Sequence, residues 1–173
     1  MALFSPSLIS PQVIKSLKQG YAIRPLEKAD YGKGFLETLG SLTTVGAVTK
    51  QQFEERFEYL KTRNDTYFTI VVEDIAKSRI IGAGSVVVER KFVHGCGLVG
   101  HIEDIVTAES ARGLNLGRLI IETLKEIGRK NGCYKIDCSE KNIPFYQKCG
   151  FSQKEYEMAW YIPENDKAVQ AKL

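Results

Sequence analysis

Between residues 67 and 107 three segments rich in Val, Ile, Tyr and Thr follow one another with short turn-forming breaks: 67–73, 79–90 and 98–107. β-Branched and aromatic side chains suit a pleated surface, and consecutive strands joined this tightly turn back on one another, so they predict an antiparallel meander. After Glu109 the apolar period becomes helical. Leu116, Leu119, Ile120, Leu124 and Ile127 line one face, and Asn131-Gly132 supplies a stop. A short strand over 133–138 follows. Asn142 can then cap a helix through Phe145 and Tyr146 to Cys149, and a strand over 155–162 closes the chain.

Upstream, Ser10-Pro11-Gln12 pairs an N-cap with proline at the first helical position, predicting a short leading helix within residues 1–19. Residues 21–25 read as a strand and 28–39 as a helical stretch ending before Gly40. Thr49-Lys50-Gln51-Gln52 is a capping box, and Phe53, Phe57 and Leu60 then mark one face of another helix. The order ββββαβαβ, with helices inserted early, predicts an α/β (α+β) chain with a mixed sheet covered by helices. At 173 residues this is one domain, 1–173, with a loose polar tail over 163–173.

Composition narrows the function. Twenty-four Lys+Arg against 21 Asp+Glu leave +3, too little for a general polyanion binder, so nucleic acid is not an expected partner. No apolar run reaches the ~18 residues of a membrane helix, and the N-terminus lacks the order of a secretory signal, so a cytoplasmic protein is expected. Cys96, Cys133, Cys138 and Cys149 have no paired spacing and only His94 and His101 to join them, which argues against a metal site and for reduced, mostly buried thiols.

Residues 103–107 lead, through Ala111-Arg112-Gly113-Leu114-Asn115-Leu116-Gly117-Arg118, into the long helix. A strand that enters a helix through such a turn points several backbone N–H groups at one place and suits a pyrophosphate, although a tight turn without any ligand has the same pattern. Glu103, Asp104 and Asp137 are carboxylates on or beside converging strands. Neighbours on a regular strand face opposite ways, so Glu103 and Asp104 can share one ligand only if a bulge or a backbone contact intervenes. Arg90, Lys91 and His94 form a candidate cationic cluster, and Thr43 and Thr44 offer hydroxyls. Each of these groups also has an ordinary reading as a solvated side chain, and Tyr146 as a core aromatic.

Arg112-x-x-Asn115-x-Gly117 resembles the pyrophosphate-binding signature of the GCN5-related N-acetyltransferases (GNAT), with Asn115 where that family usually has glycine. Asn tolerates φ > 0 best after glycine. Leu42-Thr43-Thr44-Val45-Gly46, Glu89-Arg90-Lys91, Gly100-His101-Ile102-Glu103-Asp104-Ile105, Gly132-Cys133-Tyr134-Lys135 and Glu140-Lys141-Asn142, with Phe145-Tyr146-Gln147-Lys148-Cys149-Gly150-Phe151, are similar to the family's glucosamine 6-phosphate branch. Here the strand reaches Asp137 about two residues sooner than in that branch.

The resemblance implies the GNAT fold, a mostly antiparallel twisted sheet with helices on both faces, and acetyl transfer from acetyl-CoA to an amino sugar phosphate within a ternary complex. It assigns the cofactor to Ile105, Val106, Thr107, Arg112, Gly113, Leu114, Asn115, Leu116, Gly117, Arg118, Asn142, Tyr146 and Lys148. Substrate goes to Thr43, Lys91, His94, Glu103, Asp104 and Asp137. Catalysis goes to Tyr146, as proton donor to the leaving thiolate, with Asp137 and Glu103. It further implies a homodimer, no metal, and a role in UDP-N-acetylglucosamine synthesis. Another acceptor amine, or a CoA-binding scaffold without catalysis, stays open at this point.

Overall fold

The computed structural model describes residues 1–138 and 142–154, and the chain divides into two compact units, Met1–Cys138 and Ser139–Leu173. The expected strand over 155–162 and the tail over 163–173 lie outside the described residues.

In the first unit the order is α1 (Pro11–Ser16), β1 (Tyr21–Pro25), α2 (Phe35–Gly40), α3 (Lys50–Lys61), β2 (Tyr67–Asp74), β3 (Arg79–Arg90), the irregular turn α4 (Val93–Cys96), β4 (Leu98–Thr107), α5 (Leu116–Lys130) and β5 (Cys133–Cys138). The five strands form one sheet in sequence order. The first three pairings are antiparallel and β4–β5 is parallel. The parallel pairing follows from α5, because a helix between two strands returns the chain to the end of the sheet at which it began.

β2 is buried along almost its whole length, from Phe68 to Asp74, so it reads as a continuous apolar run and not as an alternation. α5 covers one face of β3 and β4 with Leu116, Ile120, Ile121, Leu124 and Ile127. Burying each of these side chains is worth ~1.5–3 kcal/mol, which makes α5 the main anchor of the sheet. Thr49 and Gln52 form the expected reciprocal cap of α3, whose Phe53 packs against Tyr31 and Phe35.

Two expectations change in the first unit. The helical stretch expected over 28–39 is broken: left-handed Gly34, φ 80°, separates a 3₁₀ segment, Lys28–Lys33, from α2. The leading segment also does more than form a helix. Leu3 donates its N–H to Leu26, and Phe4 packs edge-on to Phe68 at 5.3 Å, so residues before α1 belong to the core.

The second unit contributes α6, Ile143–Lys148. Asn142 precedes it without a side-chain capping bond, contrary to expectation, and its backbone is not helical. The helix closes on a Schellman motif: Phe151 N–H bonds Tyr146 C=O, Gly150 N–H bonds Gln147 C=O, and Gly150 is left-handed at φ 85°.

Candidate active site

β3 and β4 lose register between Ala83 and Ser85. Ser85 faces Glu103 and Ala83 faces Val106, so β4 carries one extra residue in that interval. That residue is Asp104, held left-handed at φ 55°. This is the bulge that the adjacent pair Glu103-Asp104 required, and both carboxylates are consequently exposed. Opposite the bulge lies Gly84, where an added β-carbon would stand 2.5 Å from Ile105 Cδ1 and 2.7 Å from Ile120 Cγ2. The side chains of Ile105 and Ile120 thus pack directly on the space that Gly84 leaves, and a larger residue there would have to displace them.

Pairing with β5 is described as far as Ile102↔Cys138, and β4 runs on to Thr107. Among the described residues, β4 from Glu103 to Thr107 pairs with β3. Ile105 and Val106 turn inward and Thr107 is exposed. The chain then passes through a 3₁₀ turn, Glu109–Ala111, and exposed Arg112 and Gly113 to Asn115, which is left-handed at φ 57°, ψ 23°. Asn115 makes no side-chain cap, so its side chain leaves the first-turn N–H groups of α5, from Leu116 to Arg118, to other acceptors. Leu116 is buried beneath that turn and Leu114 half-buried, while Arg112 pairs with Glu109 at 3.1 Å. The result is a strand edge running into the positive end of a helix.

On the face of the sheet away from α5, β3, β4 and β5 align Glu89, His101 and Asp137. His101 is directly opposite Asp137, and Glu89 lies one strand over. His101 Nδ1 is 2.6 Å from Asp137 Oδ1 and Nε2 is 3.0 Å from Glu89 Oε2. Lys91 Nζ reaches the same Glu89 oxygen at 2.7 Å, and Lys135 Nζ reaches Asp137 Oδ2 at 3.2 Å. Burial disfavours charge on His101. The hydrogen bond to Glu89 and the charge of Asp137 outweigh it and hold its pKa above that of an ordinary imidazole. Hydrogen bonds from Lys91 and His101 keep the Glu89 carboxyl below the usual range.

The structure thus joins Lys91 to Asp137 through Glu89 and His101, two residues to which the sequence pattern gave no role. Of the cationic residues expected at the hairpin, Arg90 and His94 have partners elsewhere. Arg90 turns away to Asp65 at 2.8 Å, and His94, left-handed at φ 54°, stacks on Tyr134 with ring centroids 4.4 Å apart. Adjacent strand residues point to opposite faces, which separates Arg90 from Glu89. Thr43 is exposed between α2 and α3.

In the second unit Tyr146 is half-buried between Phe145 and Phe151, with ring centroids at 5.3 and 5.7 Å. The Phe151 contact is the apolar clasp of the Schellman motif, so helix termination also fixes the tyrosine ring. Lys148 and Asn142 are exposed. The thiols depart from expectation: Cys149 is buried, Cys133 and Cys138 are half-buried, and Cys96 is exposed in the hairpin turn. Burial pushes the Cys133 thiol up, which makes it a poorer nucleophile. Among the described residues no group of three or more His, Cys, Asp or Glu is arranged to hold a metal, and no helix is long and apolar enough to cross a membrane.

The sequence profile of the Acetyltransferase (GNAT) family matches residues 29–151. The chain belongs to this family. It is 51% identical over 146 residues to glucosamine 6-phosphate N-acetyltransferase 1 of Dictyostelium discoideum, covering 83% of this chain and 92% of that protein. The Arabidopsis thaliana glucosamine 6-phosphate N-acetyltransferase is 42% identical, covering 84% of this chain and 99% of the relative. A crystal structure of the Arabidopsis enzyme superposes with a TM-score of 0.79 over 83% of this chain and 99% of that one.

Proposed function

We propose that this chain transfers the acetyl group of acetyl-CoA to the 2-amino group of glucosamine 6-phosphate, giving N-acetylglucosamine 6-phosphate for UDP-N-acetylglucosamine synthesis, as a cytoplasmic homodimer. The observation that carries the reading is β4. Its backbone bulges at left-handed Asp104 and leads on through left-handed Asn115 into a helix start that the N-cap side chain leaves open.

Acetyl-CoA, when bound, supplies an activated thioester. Backbone N–H groups from Arg112 to Arg118 suit its pyrophosphate, and the main chain from Ile105 to Thr107 suits its amide-bearing arm, with Asn142 and Lys148 as further contacts. The acceptor amine must lose a proton before it attacks. Glu103, Asp104 and Asp137 are carboxylates able to hold the ammonium and take that proton through water. Lys91, with Thr43 and His94, is assigned to the sugar phosphate, and Tyr146 to protonating the departing thiolate. Attack is direct in this reading: Cys149 is buried, burial raises the Cys133 thiol, and the sequence gives no cue that places a histidine to activate Cys138 or Cys149.

The test is CoA release by purified protein with acetyl-CoA and a panel of amines: glucosamine 6-phosphate, glucosamine and a peptide. Strong preference for the phosphorylated sugar supports the reading. Equal rates on the three amines, or none, overturn it.

A further inference from the structure

We propose that His101 is a positioning residue that couples the two ends of the acceptor pocket, holding Asp137 for the amine on one side and, through Glu89, Lys91 for the phosphate on the other. The proposal rests on the amino sugar phosphate reading above and adds a residue to it.

Carboxylates only accept hydrogen bonds at neutral pH. Both ring nitrogens of His101 lie against carboxylate oxygens, Nδ1 at 2.6 Å from Asp137 and Nε2 at 3.0 Å from Glu89, so both must donate. Only the imidazolium does so, since either neutral tautomer turns a lone pair toward one carboxylate. The charges then alternate along Lys91, Glu89, His101, Asp137 and Lys135. Among the described residues, these charged groups meet His101 from β3 with its hairpin and from β5, and Glu103 lies two residues along β4 on the same face.

The chain of contacts makes the two ends interdependent. Lys91 and His101 share one oxygen, Oε2 of Glu89. A phosphate that draws Lys91 away leaves His101 as the donor to that oxygen, which tightens the proton on the imidazole and so keeps Nδ1–H on Asp137. The phosphate thereby fixes the orientation of the carboxylate that meets the amine. An unphosphorylated sugar leaves Lys91 on Glu89 and gives no such signal. Preference for the phosphorylated acceptor should accordingly be expressed in kcat as well as in KM.

Two measurements test this. The chain has two histidines, so ring resonances assigned with His94→Gln follow His101 directly by NMR. In the wild type His101 should titrate above the ordinary value of ~6.5, fall in Glu89→Gln and in Asp137→Asn, and rise when glucosamine 6-phosphate is added. In turnover, His101→Gln should lower kcat by about tenfold or more, with KM for acetyl-CoA nearly unchanged, as expected when a reacting group is merely misplaced. It should also erase the alkaline loss of kcat that tracks the His101 titration. An unshifted titration, or one indifferent to both carboxylate substitutions, overturns the coupling whatever the substrate. Unchanged kcat in folded His101→Gln overturns it as well. Failure of the wild type to acetylate glucosamine 6-phosphate overturns instead the substrate reading on which the coupling rests.

Discussion

Ile105 lies over Gly84, so close that a β-carbon at residue 84 would stand 2.5 Å from its Cδ1. The Ile105 side chain is thereby packed on Gly84 next to the point where β4 bulges. Gly84→Ala should displace Ile105 and Ile120, and overpacking of this kind costs ~1–3 kcal/mol. We expect a lower melting temperature together with a rise in KM for acetyl-CoA, because the strand edge shifts with Ile105. Thermal melting and steady-state kinetics on the same preparation check it. A destabilised enzyme with unchanged KM would confine Gly84 to packing.

Lys91→Ala removes the ammonium that Glu89 now holds at 2.7 Å. A charge-assisted contact to phosphate is worth roughly 1.5–3 kcal/mol, so KM for glucosamine 6-phosphate should rise ~10–100-fold while that for acetyl-CoA stays close to wild type. Steady-state kinetics with each ligand varied in turn decide it, and equal rises for both would move Lys91 out of the acceptor pocket.

Most strands and the start of α3 could be read directly, because β-branched and aromatic composition, turn-forming breaks and a capping box are local signals. What escaped is non-local. Glu89, His101 and Asp137 are far apart in sequence, and only the register of three strands makes them neighbours. The bulge at Asp104 shows only in the register of β4 against β3, opposite Gly84. Leu3 and Phe4 were too short a stretch to show a period, yet a hydrogen bond to Leu26 and the Phe68 ring draw them into the core. The left-handed turn at Asn115 was legible, because a family signature placed a tolerant residue where glycine is usual.

Asn115→Gly should preserve or tighten CoA binding. The residue sits at φ 57° and its side chain does not cap α5, so the backbone alone shapes the turn. Holding a non-glycine residue there costs on the order of 1 kcal/mol, which allows a gain of several-fold. Calorimetric titration with CoA measures it, and a clear loss of affinity would make the Asn115 side chain a ligand.

Stability should fall in acid through Glu73. Burial opposes its charge, but hydrogen bonds from Lys33 and Arg24 hold its carboxyl below the ordinary glutamate range. The depressed value means that this stabilisation is complete above the unfolded pKa of ~4.3 and is lost as pH falls through the lower folded value. Arg24 also clasps fully buried Asp30 at 2.7 Å. Melting temperature should therefore drop below about pH 4.3 less steeply in Glu73→Gln than in wild type. Arg24→Met, which strands Asp30, should cost ~3–5 kcal/mol at neutral pH by chemical denaturation.

Tyr146→Phe isolates the phenol from the ring. The ring packs between Phe145 and Phe151, and the Schellman closure at Gly150 depends on the Phe151 contact and on Tyr146 C=O, neither of which involves the hydroxyl. The ring packing and the Schellman closure should thus survive the substitution. If the hydroxyl protonates the leaving thiolate, kcat should fall by ~10²–10⁴ at saturating substrates. An acetyl donor whose leaving thiol has a lower pKa should recover part of that loss, because its thiolate needs less help to depart. Measuring kcat for both enzymes with thioesters of graded leaving-group pKa tests this assignment. A uniform loss across the series would assign Tyr146 to orienting the donor, and no loss would leave it as the aromatic clasp of α6.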